Sequence, residues 1–224
     1  MNVYRITLTE LQSKDALRYL GLKTGLTDPA MAALYETCSR ALLSAIDARA
    51  VCRIFPYRDG VIEGCTYRPA GSTIRDHLRG CDRVILLAAT LGPAVDTLIR
   101  RTMLKGMAEA MMTDALASGA IEQVLDLAEA EIFAGLSPTG HTWRYSPGYG
   151  DLPLEGQKDL LEVLDARKRI GLYVSESLLM TPTKSVTCLI GLGENLPESA
   201  KKSCRSCTLE GKCIFRQSGT TCYR

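Results

Sequence analysis

The segment WRYSPGYGDLP, residues 143–153, combines several side chains that could bind a small molecule. Pro147 and Gly148 predict a tight turn that exposes backbone N–H and C=O groups from Ser146 to Tyr149. Arg144 offers a planar guanidinium that suits a carboxylate, and Tyr149, like Tyr145, offers a ring that can stack on a flat or cationic group. This combination favours a nucleoside or amino-acid ligand, and a purely structural turn is the alternative.

A second candidate site lies in the cysteines at the C-terminus. Four of the nine cysteines fall within the last 21 residues, at Cys204, Cys207, Cys213 and Cys222. Four thiolates can close a tetrahedral shell, so four cysteines in so short and polar a segment predict a metal-binding tail, with zinc and an iron–sulfur cluster both compatible with the ligand set. Two disulfides or free thiols are the alternatives. The other five cysteines are expected to be buried free thiols in a reducing compartment.

Several functional classes are disfavoured by what the sequence lacks. No glycine-rich phosphate loop and no G-x-S-x-G nucleophile elbow is present. The two histidines lie far apart in sequence: His77 is expected on a surface helix, while His141 is close enough to the loop to take part in a site. The net charge of +2 argues against nucleic acid. No secretory signal or membrane-length apolar run is apparent, so we expect a cytoplasmic protein without a membrane partner.

The pattern of elements around these sites predicts an α+β fold. Asp28 and Pro29 predict the start of a helix, and a hairpin is expected to turn at Asp59-Gly60. Ser72 is expected to cap a short helix. RVILLAATLG, beginning at Arg83, predicts a strand buried on both faces. Two helices over about 93–104 and 106–134, a loop over 137–151, a helix over 154–170 and a strand over 185–193 complete the order. The change in composition after Pro197 predicts a domain over 1–196 and a tail over 197–224.

The stretch from Arg144 to Leu192 resembles the reactivation domain of cobalamin-dependent methionine synthase. That family carries R-x-x-x-G-Y, a proline and a lysine, then S-E-S followed by M-x-P-x-x-S-V. The matching positions here are Arg144, Gly148, Tyr149, Pro153, Lys158, Gly171, Ser175-Glu176-Ser177, Met180, Pro182, Ser185 and Val186. Upstream, LAATLGPAVDTLI and the alanine-rich helix also resemble the family, so the likeness covers roughly residues 83–192. The family's acidic position in the long helix falls on Ser118, with Glu122 one turn later.

The resemblance implies S-adenosylmethionine as the ligand and a cobalamin cofactor held by a partner protein. It implies that Arg144 clamps the ligand's carboxylate, that Ser146 and Gly148 make backbone contacts, and that Tyr149 lies at the face presented to the corrin. The chain shows no homocysteine, folate or cobalamin domain, so the expected partners are a separate methionine synthase or related corrinoid protein and an electron donor. An iron–sulfur cluster in the tail could relay that electron, whereas zinc could not.

Three functions follow from these observations. The first is a stand-alone reactivation subunit that binds S-adenosylmethionine and caps the corrinoid during reductive methylation of cob(II)alamin. The second is an activator or electron-transfer partner of another corrinoid methyltransferase that does not bind S-adenosylmethionine. The third is an interaction module clipped by a metal.

Overall fold

A computed structural model of the chain describes residues 1–20, 26–136, 140–194, 196, 210–217 and 219. The strands, in chain order, are β1 (Asn2–Ile6), β2 (Ala48–Arg58), β3 (Val61–Ile62), β4 (Arg83–Thr90), β5 (Tyr173–Val174), β6 (Met180–Thr181) and β7 (Ser185–Leu192). The helices are α1 (Ser13–Tyr19), α2 (Pro29–Ala45), α3 (Ser72–His77), α4 (Pro93–Lys105), α5 (Met107–Leu136), α6 (Gly156–Val163), α7 (Ala166–Ile170) and α8 (Ile214–Gln217).

An antiparallel sheet forms the centre of the molecule, with the strand order β1-β2-β4-β7 and the short β3 paired to β2. Strand β4 is an inner strand of this sheet, and alternate side chains along it enter two separate cores. Ile85, Leu87 and Ala89 face the core that includes α2, α4 and α5, whereas Val84 and Leu86 face the core that includes α3, α6 and α7. The predicted α+β class and the two-sided burial of this strand are therefore confirmed.

The elements that the local pattern predicts well are the helices α2, α4 and α5. Asp28 caps α2 by accepting a hydrogen bond from the backbone N–H of Ala30 at 2.9 Å, with Pro29 at the first helical position. Asp59 and Gly60 both have positive φ, as a two-residue hairpin turn requires, so the predicted turn between β2 and β3 is confirmed.

The second strand of that hairpin, which the sequence pattern predicts over 60–68, is only two residues long. Only Val61 and Ile62 pair with β2, and Gly64 then turns the chain at a φ of 66°. The guanidinium of Arg68 donates hydrogen bonds to the carbonyls of Ile62, Cys65 and Tyr67, and so gives these backbone acceptors a partner where the strand ends.

Two further predictions are corrected by the chain's conformation between residues 72 and 170. Ser72 is the first residue of α3 and not its cap, because a carboxylate from a distant part of the chain accepts from its N–H. The helix predicted over 154–170 is two helices, α6 and α7, separated at Asp165, which adopts a left-handed conformation. Strand β1 and helix α1 were not predicted.

The five scattered cysteines are free thiols, as expected. Cys38, Cys52, Cys65 and Cys188 are buried, while Cys81 is half-buried. Burial raises the pKa of the Cys81 thiol to about 11 and that of Cys188 to about 12, because the thiolate would be poorly solvated there. These thiols are packing residues.

Candidate functional site

The loop that follows α5 is positioned by the free edge of β7. The backbone N–H of Tyr145 donates to the carbonyl of Leu189 at 2.9 Å, and the N–H of Leu189 donates back to the carbonyl of Tyr145 at 2.8 Å. Because successive side chains of an extended segment point to opposite faces, Arg144 faces one way and its two aromatic neighbours face the other. Arg144 reaches α5, while Trp143 and Tyr145 pack in the core beside α3.

The guanidinium of Arg144 is held by three carboxylates from one face of α5. It donates to Asp126 at 2.7 Å and to Glu129 at 2.8 Å, and it lies 3.4 Å from Glu122. These acids are four and three residues apart, a spacing that aligns side chains along one side of a helix. Three negative charges therefore surround one positive charge, and this part of the site favours a cation.

Two residues of this ionic cluster, Glu129 and Arg144, have pKa values above their ordinary ones. Burial raises the pKa of Glu129, and the positive charge of Arg144 offsets only part of that effect. Burial acts to lower the pKa of Arg144, but its hydrogen bond with Asp126 and the charge of Glu129 outweigh burial and leave that pKa raised. Arg144, whose side chain is 21% exposed, therefore remains a cation at any physiological pH.

The cluster lines a cavity of about 420 Å³, within the range of about 300–1,000 Å³ that is usual for small-molecule sites. Charged residues of α5 form one wall, and apolar and aromatic side chains form much of the rest. The lining residues are Glu122, Leu125, Asp126, Glu129, His141, Trp143, Arg144, Ser146, Pro147, Tyr149, Leu154, Gln157, Met180, Ser185, Val186 and Thr187. A ligand with a charged end and a flat apolar end matches this division.

Three of the four predicted loop residues line the cavity, namely Arg144, Ser146 and Tyr149. Tyr149 is 45% exposed, and its ring lies 6.0 Å from that of Trp143. The fourth, Gly148, supplies the turn with a φ of 91°, and its N–H donates to the carbonyl of Leu152 at 2.9 Å. The turn is closed by the N–H of Tyr149, which donates to the carbonyl of Ser146 at 3.0 Å.

The sequence interpretation missed two acids of the cluster. Asp126 and Glu129 were not among the candidates, although their spacing from Glu122 marks one face of a helix whose other positions are mostly alanine and aliphatic. Ser118, where the family's acid would fall, instead accepts a hydrogen bond from Lys184 at 2.9 Å. The acidic contacts thus come from later turns of α5.

The two histidines have different environments. His141 lines the cavity, and its Nδ1 lies 3.8 Å from Glu129. His77, predicted on the surface, is only 4% exposed, and its Nε2 donates to the carbonyl of Trp143 at 2.9 Å. Burial lowers the pKa of His77 to about 4, only partly offset by that hydrogen bond, so the imidazole is neutral at pH 7.

The predicted metal site in the tail falls almost wholly outside the described residues. Cys204, Cys207 and Cys222 lie there, and Cys213 is a free, half-buried thiol. Within the part of the chain that the structure describes, no group of three or more His, Cys, Asp or Glu side chains could hold a metal ion. No helix in that same part is long and apolar enough to cross a membrane.

The chain has the fold of the MetH reactivation domain. It superposes on the crystal structure of the reactivation domain of MetH bound to AdoHcy with a TM-score of 0.61, covering 99% of this chain and 87% of that one at 15% identity. No protein-family model and no curated protein sequence matches the chain. The resemblance predicted from the sequence is therefore confirmed at the level of the fold.

Proposed function

We propose that this chain is a reactivation subunit for a cobalamin-dependent methionine synthase and that the cavity beside α5 binds S-adenosylmethionine. The observation that carries the proposal is the cluster of Arg144 with three carboxylates at the wall of an otherwise largely apolar cavity. The shared fold with a MetH domain that binds AdoHcy supports the same ligand class.

The charges of the cavity fit the charges of this ligand. S-adenosylmethionine carries a sulfonium and an ammonium, both cations, and one carboxylate. Glu122, Asp126 and Glu129 are matched to the cations, and Arg144 is matched to the carboxylate. Because Arg144 is already paired with the acids, the ligand exchanges ion pairs with the cluster: its cations replace Arg144 beside the acids, and its carboxylate replaces the acids beside Arg144.

The aromatic and apolar lining fits the nucleoside. Tyr149 offers a ring beside the charged wall, and Leu154 and Met180 add apolar surface. The exposed Tyr149 is the residue that we assign to the face presented to the corrin of the partner protein. Bound S-adenosylmethionine would supply the methyl group for reductive methylation, while this chain orients it and excludes water.

We further propose that the tail binds a metal through Cys204, Cys207, Cys213 and Cys222, as an iron–sulfur cluster or as zinc. Four cysteines within 19 residues of a polar segment support this assignment. We also propose that a separate electron donor supplies the electron for the reductive step and that this protein is cytoplasmic. Anaerobic purification followed by metal analysis and visible absorbance distinguishes the iron–sulfur cluster from zinc. A coloured, iron-containing protein supports electron relay by the tail, and a colourless zinc protein supports a structural clip. Loss of the metal in Cys204→Ser is expected in either case.

The reactivation role is tested with a corrinoid methionine synthase that lacks its own reactivation domain. The partner is prepared as cob(II)alamin and incubated anaerobically with a reductant, S-adenosylmethionine and this chain, and methylcobalamin formation is followed by absorbance. We expect conversion with the wild type and with Asp76→Asn, a surface control whose partner is Arg79, and no conversion with Arg144→Ala. Equal conversion with and without the chain would contradict the proposal.

A further inference from the structure

The loop that lines the cavity is attached to the short helix α3 by one carboxylate. Asp151 accepts hydrogen bonds from the backbone N–H of Ser72 at 2.7 Å and of Thr73 at 3.0 Å. It also accepts from the hydroxyls of both residues, at 2.7 Å for Ser72. A carboxylate with four donors from two consecutive residues is a specific attachment between chain segments nearly eighty positions apart.

The hydroxyl of Thr73 connects this attachment to the rest of the loop. It donates to Asp151, and it accepts from the hydroxyl of Tyr145 at 2.8 Å and from the backbone N–H of Asp151 at 3.2 Å. Both ends of the loop therefore converge on one side chain. At the other end of α3, His77 donates to the carbonyl of Trp143, so the whole helix supports the segment from 143 to 151.

Two glycines show how closely the segments approach. A Cβ at Gly71 would lie 2.5 Å from a carboxylate oxygen of Asp151. A Cβ at Gly150 would collide with the hydroxyls of Tyr145 and Thr73. Both glycines have positive φ, 130° and 54°, so the backbone is shaped for this contact on both sides.

We infer that Asp151 and Thr73 are positioning residues, which hold the loop so that Arg144, Ser146 and Tyr149 line the cavity. The inference rests on the proposed function, since it treats this loop as the ligand loop. Neither Asp151 nor Thr73 lines the cavity, and neither is assigned a contact with the ligand. They affect binding indirectly, because they fix the position of Tyr145 and of the turn at Pro147-Gly148.

The lone tryptophan provides a readout of loop geometry that needs no ligand. Trp143 is the only tryptophan of the chain, and its ring lies 4.8 Å from His77, 5.0 Å from Tyr145 and 6.0 Å from Tyr149. Its fluorescence and its quenching by acrylamide therefore report whether the loop keeps its place on α3. The unfolding midpoint, measured separately by circular dichroism, reports global stability.

The test compares Thr73→Val and Asp151→Asn with Thr73→Ser, which keeps the hydroxyl, and with Asp76→Asn, a carboxylate on the same helix that pairs with Arg79. We expect the first two to raise acrylamide quenching of Trp143. We also expect them to weaken S-adenosylmethionine binding about tenfold, the factor that applies when the loop holds its binding-competent position only about one tenth of the time. Both variants should remain fully folded at the temperature of these measurements, as circular dichroism can confirm, and Thr73→Ser and Asp76→Asn should match the wild type throughout.

Wild-type quenching and affinity in both Thr73→Val and Asp151→Asn would overturn the inference. It is also overturned if quenching rises only at temperatures at which circular dichroism shows the variants to be unfolding, because the two residues would then act on global stability. If the wild type itself fails to bind S-adenosylmethionine, the proposed function fails, and the quenching of the same four variants still decides whether Asp151 and Thr73 position the loop.

Discussion

The two sides of the loop from Trp143 to Asp151 are held by different kinds of interaction. On the cavity side, Arg144 makes ion pairs with acids of α5. On the α3 side, Tyr145 and Asp151 make hydrogen bonds to Thr73, and the rings of His77, Trp143 and Tyr145 pack together. The ion pairs can be exchanged for a charged ligand, while the α3 side keeps the loop in place during that exchange. One side is thus suited to binding and the other to positioning.

The largest effect is expected from removing the cation of the cavity side. Arg144→Gln leaves three carboxylates of α5 without their shared partner, and we expect the free energy of unfolding at pH 7 to fall by about 3 kcal/mol. Urea denaturation measures it. The matched control is Arg79→Gln, whose exposed pair with Asp76 should contribute less than about 1 kcal/mol. Equal losses in the two variants would show that the cavity cluster contributes no more than a surface pair.

The second prediction concerns the neutral histidine of the α3 side. The folded protein keeps the pKa of His77 at about 4, below its ordinary value of 6.5, so its contribution to stability is present above about pH 6.5 and is lost as the pH falls towards 4. We expect the free energy of unfolding to be about 2 kcal/mol lower at pH 5 than at pH 7.5.

The controls for this prediction are the two histidine substitutions. His77→Gln should remove most of that difference between pH 7.5 and pH 5, whereas His141→Gln, at the exposed cavity position, should retain it. A difference of the same size in wild type and His77→Gln would assign the pH dependence to other groups.

The third prediction tests the close contact of the loop with α3. Gly150→Ala places a methyl group against Tyr145 and Thr73, whereas Gly171→Ala, also at positive φ, has open space around its Cβ. Both variants incur the cost of a left-handed residue, and we expect Gly150→Ala to be about 1 kcal/mol less stable than Gly171→Ala because of the added crowding. Thermal or urea unfolding of the two variants measures this difference in stability, and equal stability would argue against a tight contact between the loop and α3.

The smallest effect is expected from neutralising one acid of the cavity side. Glu122→Gln should weaken S-adenosylmethionine binding about threefold, equal to about 0.6 kcal/mol, because Glu122 is the most distant of the three acids from Arg144 and is partly exposed. Binding of S-adenosylhomocysteine, which lacks the sulfonium charge, should change less. Glu131→Gln, an exposed acid on the same helix, serves as the control. Equal losses of affinity for both ligands would show that Glu122 does not recognise the sulfonium charge.

The parts of the fold that could be predicted from the sequence are those set by local pattern. The apolar run of β4, the Asp28-Pro29 start of α2 and the Asp59-Gly60 turn carry their signals within a few residues. Strand β1 lacked such a signal, since its five residues include only two aliphatic side chains and pair with β2 more than forty positions away. The break at Asp165 was also missed, because the helical pattern continues on both sides of it.

The difference between local patterns and contacts of distant segments also explains which parts of the candidate site could be predicted. The turn and Arg144 were predictable because their chemistry lies in one short segment. The acids of α5 were only partly recognised, because their function appears when Arg144 is placed against that helix. The attachment of Asp151 to α3 could not be predicted: Ser72 looked like the cap of its own helix, and the carboxylate that replaces it comes from a distant segment.

The central claim, that the cavity binds S-adenosylmethionine through Arg144, is tested most directly by isothermal titration calorimetry. We predict saturable one-to-one binding to the wild type and its loss in Arg144→Ala, with circular dichroism confirming that the variant is folded at the temperature of the titration. The absence of saturable binding to the wild type, or the same affinity in a folded Arg144→Ala, would contradict the claim.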